Sequence, residues 1–211
     1  MAAGGIFSLI KALPLIIRTF AQAVRGYGKN MEEESRTAQD IPIRVVLVGI
    51  LITAIVMWLI PVIPVNFPGA ILIVVLGFFF ATVSSRMVGL VGSSNNPVSG
   101  MAIATLIITA AIYKSSGASA EGMVSSIAVG TIICIIAAMA GDTSQDLKTG
   151  YILGATPKKQ QIGELIGAVV SAVTIGGVLV LLDSAWGFGT TELAAPQATL
   201  MKMIIEGVME G

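Results

Sequence analysis

Histidine is absent from this chain of 211 residues. That removes the commonest metal ligand and the side chain that changes charge most readily near neutral pH. It also excludes catalytic Ser–His and Cys–His pairs. Cysteine occurs once, at Cys134, inside an apolar run. A lone cysteine forms no internal disulfide and builds no cysteine-based metal site. Charge is scarce as well. Only 11% of residues are charged, against about 25% in a soluble domain. Basic and acidic residues number 12 each, so net charge points to no partner, and no nucleic-acid partner is expected. The first apolar run is broken by Lys11 and Pro14 and follows no basic stretch, which does not fit a cleavable signal peptide.

What the chain has instead is apolar length. Hydrophobic residues make up 55%, glycine occurs 24 times, and mean hydropathy is +0.92. Lipid is the expected solvent, and the expected fold class is an all-α integral membrane protein. A spanning helix needs about 20 apolar residues, because the hydrocarbon core is roughly 30 Å thick. Residues 45–63, 69–83 (extending through Ser84 and Ser85), 122–140 and 162–182 qualify. Glu164 is the one flaw in the last of these. Residues 101–113 form a shorter fifth run, about 20 Å if helical, which reads as short or discontinuous.

The ends read differently. Ile6, Ile10, Leu13, Ile17, Phe20 and Val24 share one helical face, while Lys11, Arg18 and Arg25 recur on another. Residues 1–25 are therefore expected to form an amphipathic helix at the membrane surface or against neighbouring helices. Residues 26–41, with three consecutive glutamates, read as a solvated cytoplasmic loop. Residues 43–211 then hold the spanning helices and polar connectors, and 195–211 are amphipathic enough for a re-entrant or surface helix. Lysines and arginines cluster before the first span, at Arg86, and at Lys148, Lys158 and Lys159. The loops 61–68, 114–121 and 183–195 carry only Lys114. Five crossings with the basic regions inside satisfy the positive-inside rule.

Two polar stretches interrupt this pattern. In 89–100, Pro97 removes an amide donor and disfavours helix at Asn96. Backbone and side chains at Asn95, Asn96 and Ser99 then have two readings. They line a substrate path at a broken helix, or they form an ordinary turn. The second stretch, AGDTSQDLKTG at 140–150, follows an apolar run directly. If it continues the helix, Asp142, Asp146 and Thr149 share a face at spacings of four and three. Thr143, Gln145 and Lys148 lie beside them. Carboxylates there, or Glu164, are the candidate proton carriers, since an intramembrane acid is costly and by default suggests function. The bland alternatives are a solvated connector for 141–149 and a helix cap for Glu164.

An enzyme is not expected. Asp142-Thr143-Ser144 has the letters of an aspartic-protease triplet, but the second triplet and the β-rich scaffold are not visible. No metal cluster or cofactor motif is found.

The motifs GSSNNPVSGMAIATL (92–106), GDTSQDLKTGYILGATPKKQQIGELIG (141–167) and APQATLMKMI (195–204) together resemble the oligopeptide transporter (OPT) family. The similarity is strongest to its prokaryotic members and extends to the yellow-stripe-like branch. It covers essentially the whole chain. The resemblance implies a secondary-active, proton-coupled importer of small oligopeptides or peptide-like metal chelates. It also implies a multi-pass protein of a bacterial or archaeal cytoplasmic membrane, with more spans than are present here. The chain is thus expected to be a central slice whose partners are the remaining transporter helices or a partner subunit. A second reading stays open, a non-transporting membrane scaffold or partner subunit.

Overall fold

The protein is described here from a computed structural model, which covers residues 35–117 and 120–210 together with Pro14. The amphipathic segment expected over 1–25 and most of the loop expected over 26–41 lie outside the described residues. Among the described residues the structure is helical throughout, without strands. A short 3-10 turn, Arg36–Ala38, leads into six helices. They are α1 (Ile43–Leu59), α2 (Phe67–Val91), α3 (Val98–Ser115), α4 (Ala120–Leu153), α5 (Pro157–Trp186) and α6 (Pro196–Glu210). The first five are long and apolar enough to cross a membrane. The protein is a multi-pass integral membrane protein of the all-α class.

Local chemistry sets the helix ends. Asn66 caps α2: its Oδ1 accepts from the Gly69 amide at 3.0 Å, and Pro68 sits in the first turn, where no amide donor is needed. Gly92 ends α2 at φ 81°, a backbone conformation that side chains with a Cβ avoid. Proline opens α5 as it opens α6, and Gly187 closes α5.

One sequence expectation changes here. The fifth run is not short: α3 has 18 residues, because Val98, Ser99 and Gly100 already turn helically behind Pro97. At 1.5 Å per residue that is about 27 Å, close to a full crossing. Of the two readings left open for the polar stretch 141–149, the structure shows the continued helix. It is the last third of α4, a continuous helix of 34 residues and roughly 50 Å.

The core is the crossing of α2 with α4, joined by α3. Ile73, Phe80, Val83, Met101, Val129, Ile133 and Ala137 form its buried cluster. Gly77 and Ala137 keep side chains small there, which lets the backbones approach closely, as membrane helices favour. Helix α6 packs on α3 and α4, burying Ile205, and Lys114 Nζ donates to the Val208 carbonyl at 3.0 Å. By contrast, neither α1 nor α5 has a buried residue.

The ends of the helices sort into two groups. Arg36 donates to the Gly154 carbonyl at 2.8 Å, and the Lys158 amide donates to the Gln39 carbonyl at 3.0 Å. The lead-in to α1 and the α4–α5 turn therefore share one end of the bundle. Tyr113 and Asn66 are hydrogen-bonded at the other.

Candidate functional site

Building from the helix break upward, the loop 92–97 folds back onto α4 instead of running free. Asn96 Nδ2 donates to Ser84 Oγ at 2.7 Å and to the Ala137 carbonyl at 3.4 Å. Ser84, fully buried, donates to the same carbonyl. Next to it, Ser85 Oγ donates to the Ala140 carbonyl at 3.0 Å, and Ser144 Oγ donates to the Ser85 carbonyl at 3.1 Å. This seam works because Gly141 has no side chain. A Cβ there would stand 2.7 Å from Asn96 Nδ2 and 2.9 Å from Val88. One group is left over: Asn96 Oδ1 is buried and has no donor. Such a group costs roughly 1–3 kcal/mol unless something supplies a hydrogen bond.

The break also reaches the polar end of α4. The Ser93 amide donates to Gln145 Oε1 at 2.8 Å. The two polar stretches singled out in the sequence thus meet, 52 residues apart in the chain. The remaining break residues do less. Asn95 Nδ2 donates to the Val91 carbonyl at 3.3 Å, tidying the end of α2, and Ser99 is exposed in the first turn of α3.

Along α4, Asp142, Asp146 and Thr149 share a face, and all three are exposed in this chain. Thr149 Oγ1 donates to the Gln145 carbonyl at 3.1 Å, and Lys148 Nζ lies 5.3 Å from the centre of the Tyr151 ring. Thr143 is half-buried. Among the described residues neither aspartate carboxylate has an ion-pair partner; the pair seen is Lys202–Glu206 at 3.6 Å. Glu164 is the eighth residue of α5, two turns past Thr156, so it does not cap the helix start. Its Oε1 is buried without a donor, as is Gln160 Oε1 one turn earlier.

At the opposite end lies a cleft of about 550 Å³. Trp58, Pro61, Asn66, Tyr113, Glu121 and Ser125 line it among aliphatic neighbours. Tyr113 Oη donates to Asn66 Oδ1 at 2.5 Å, tying α3 to the start of α2. Among the described residues no group of three or more Cys, Asp or Glu is placed to hold a metal ion.

Sequence reasoning missed Ser84, Ser85, Ser144, Gly141 and Gln160 as members of these arrangements. The adjacent hydroxyls of Ser84 and Ser85 at the end of an apolar run were the available signal. Nothing local says which carbonyls they meet.

The chain matches the family described as OPT oligopeptide transporter protein over residues 1–211. It is 37% identical to a Haemophilus influenzae protein named "Putative oligopeptide transporter", over 65% of this chain and 25% of that protein. It is 29% identical to a protein of the same kind of name from Saccharomyces cerevisiae, over 60% of this chain and 17% of that one. It is 30% identical to a "Probable metal-nicotianamine transporter" of Arabidopsis thaliana, over 46% of this chain and 14% of that one. The chain spans at most about a quarter of the length of these relatives. No solved structure matches.

Proposed function

The chain belongs to the OPT oligopeptide transporter family, and from that premise we propose that it forms one membrane segment, residues 1–211, of a secondary-active, proton-coupled transporter. Its substrates are small oligopeptides or peptide-like metal chelates, any metal travelling as cargo. The names of the relatives support both substrate classes. The segment works with further transporter helices or a partner subunit in a cytoplasmic membrane.

One observation carries the assignment of a site: the Ser93 amide bonded to Gln145 Oε1, which joins the helix break to the polar end of α4. Non-helical backbone at membrane depth is tolerated where it packs in protein or lines a water-filled cavity. Asn95, Asn96 and Ser99 then contribute to the substrate path. Asp142, Thr143, Gln145, Asp146, Lys148 and Thr149 form the polar face it follows, and Glu164 stands beside it as a proton carrier. Exposure of both aspartates in this chain fits a face that the rest of the transporter covers.

The test uses the complete transporter in proteoliposomes. A radiolabelled dipeptide and a nicotianamine-type iron chelate are offered under an imposed proton gradient. Uptake of one class is expected, together with weaker uptake in Asp142→Asn or Asp146→Asn at unchanged substrate binding. Thr174→Ala, on the exposed side of α5, should behave as the parent. Uptake indifferent to collapse of the gradient removes proton coupling. No uptake of either class removes the transport reading and leaves the scaffold reading.

A further inference from the structure

We propose that the cleft at the Asn66–Tyr113 end of the bundle binds a primary ammonium group with an oxygen acceptor beside it, Glu121 being the counter-ion. The first residue of a short peptide has that chemistry, and so has an aminophospholipid headgroup. That a bound peptide is then carried across rests on the transport reading; the site does not.

The cleft is built from helix ends. Trp58 comes from the end of α1, Pro61 and Pro64 from the connector, Asn66 from the start of α2, Tyr113 from the end of α3 and Glu121 from the start of α4. Its volume of about 550 Å³ lies within the roughly 300–1,000 Å³ of small-molecule sites. The floor is fixed. Tyr113 is buried, and its hydroxyl donates to Asn66 Oδ1. Gly69 makes room for that hydroxyl, since a Cβ there would stand 2.8 Å from the tyrosine oxygen. The two prolines hold the connector at a narrow range of φ. A site formed in advance loses less freedom when a ligand enters.

The polar groups have distinct offers to make. Glu121 is exposed in the first turn of α4. A helix start favours an acid, which accounts for its place in the chain and leaves its carboxylate a charged acceptor. Among the described residues it makes no ion pair. Lys114, in the last turn of α3, directs its Nζ to the Val208 carbonyl instead. Glu121 therefore sets a negative charge against apolar walls, which focus its field. Asn66 offers the opposite. Its Oδ1 is taken by the Gly69 amide and the Tyr113 hydroxyl, so what remains is an N–H donor. Trp58 is exposed, with its ring set by an edge contact to Phe67 at 5.5 Å between centroids. An indole face attracts cations. A charged acceptor, an N–H donor and an indole among aliphatic walls match an ammonium, a carbonyl and an apolar side chain.

The two tryptophans of the chain are Trp58 and Trp186. In a Trp186→Phe background, Trp58 fluorescence reports on the cleft. The chain is placed in phosphatidylglycerol nanodiscs and titrated with leucylalanine and with N-acetyl-leucylalanine, which differ in the ammonium. Leucylalanine should bind the more tightly. Glu121→Gln should weaken it about fivefold, the upper range for an exposed charge pair, and leave the acetylated form unchanged. The exposed position of Glu121 means that this variant should melt like the parent. Nanodiscs containing phosphatidylethanolamine separate the two sources. A Glu121-dependent change of Trp58 emission on adding that lipid, with no response to leucylalanine, assigns the site to the headgroup. Equal binding of the free and acetylated peptides overturns the proposal when the lipid also has no Glu121-dependent effect. An equal loss of both peptides in Glu121→Gln overturns it too. If the titrations behave as expected while the complete transporter takes up no substrate, the transport reading fails and the site stands.

Discussion

Gly141 leaves a notch in α4, and atoms from Ser84, Val88 and Asn96 fill it. Glycine is required there by close approach, since the backbone is ordinary helix. Gly163 is also helical, yet a Cβ on it would meet nothing within 4 Å in this chain. The two positions therefore respond oppositely to the same methyl group. Gly141→Ala should cost about 1–3 kcal/mol through overpacking and displacement of Asn96. Gly163→Ala should be neutral or stabilise by about 0.5–1 kcal/mol through helix propensity. Equilibrium unfolding of the chain in mixed micelles compares them. Equal effects at the two positions would mean that the α2–α4 seam is not closed in solution.

At the scale of elements, α2 and α4 hold the fold and α1 and α5 stand apart from it. Ile133 on α4 is fully buried, whereas Val173 on α5 is 75% exposed. Truncation at a packed position leaves a cavity as well as lost contacts. Ile133→Ala should destabilise the chain by about 2 kcal/mol or more. Val173→Ala should change stability by less than about 0.5 kcal/mol, as at an unpacked surface site. Comparable losses in thermal melts would show that α5 is packed inward. The same contrast bears on the sequence pattern. Hydropathy marks α1 and α5 as spans as strongly as α2 and α4, but it does not distinguish a helix facing lipid or another chain segment from one in the core.

For the whole molecule, the bundle has two chemically different ends. Arg36, Gly154, Lys158 and the break at 92–97 gather at one. The cleft beside Glu121 and the Asn66–Tyr113 hydrogen bond mark the other. Basic residues concentrate at the first end, and the positive-inside rule predicts that this end faces the cytoplasm. Single cysteines at Ser35 and Lys158 should react only with reagents admitted to the cytoplasm, and one at Thr191 only with impermeant external reagents. External labelling at position 158 would reverse the assignment.

The sequence alone determined the helical class and, among the described residues, the five helices long and apolar enough to cross a membrane. These depend on local quantities: apolar length against bilayer thickness, and backbone groups that lipid forces to bond within their own helix. Proline and glycine placed the break for the same local reason. The reach of α3 was less legible, because Ser99 and Gly100 read as turn chemistry, and the polar run 141–149 left helix and solvated connector both open until continuity of the backbone ladder carried α4 through it. Only the tertiary structure decided which polar groups meet. Ser84 and Ala137 are 53 residues apart, and Ser93 and Gln145 are 52 apart. Gln160 enters the notch at Gly150 only because the α4–α5 turn folds one helix back along the other. Hydrogen bonds act over about 3 Å, so these partners are fixed by how helices cross, which no local pattern of residues encodes.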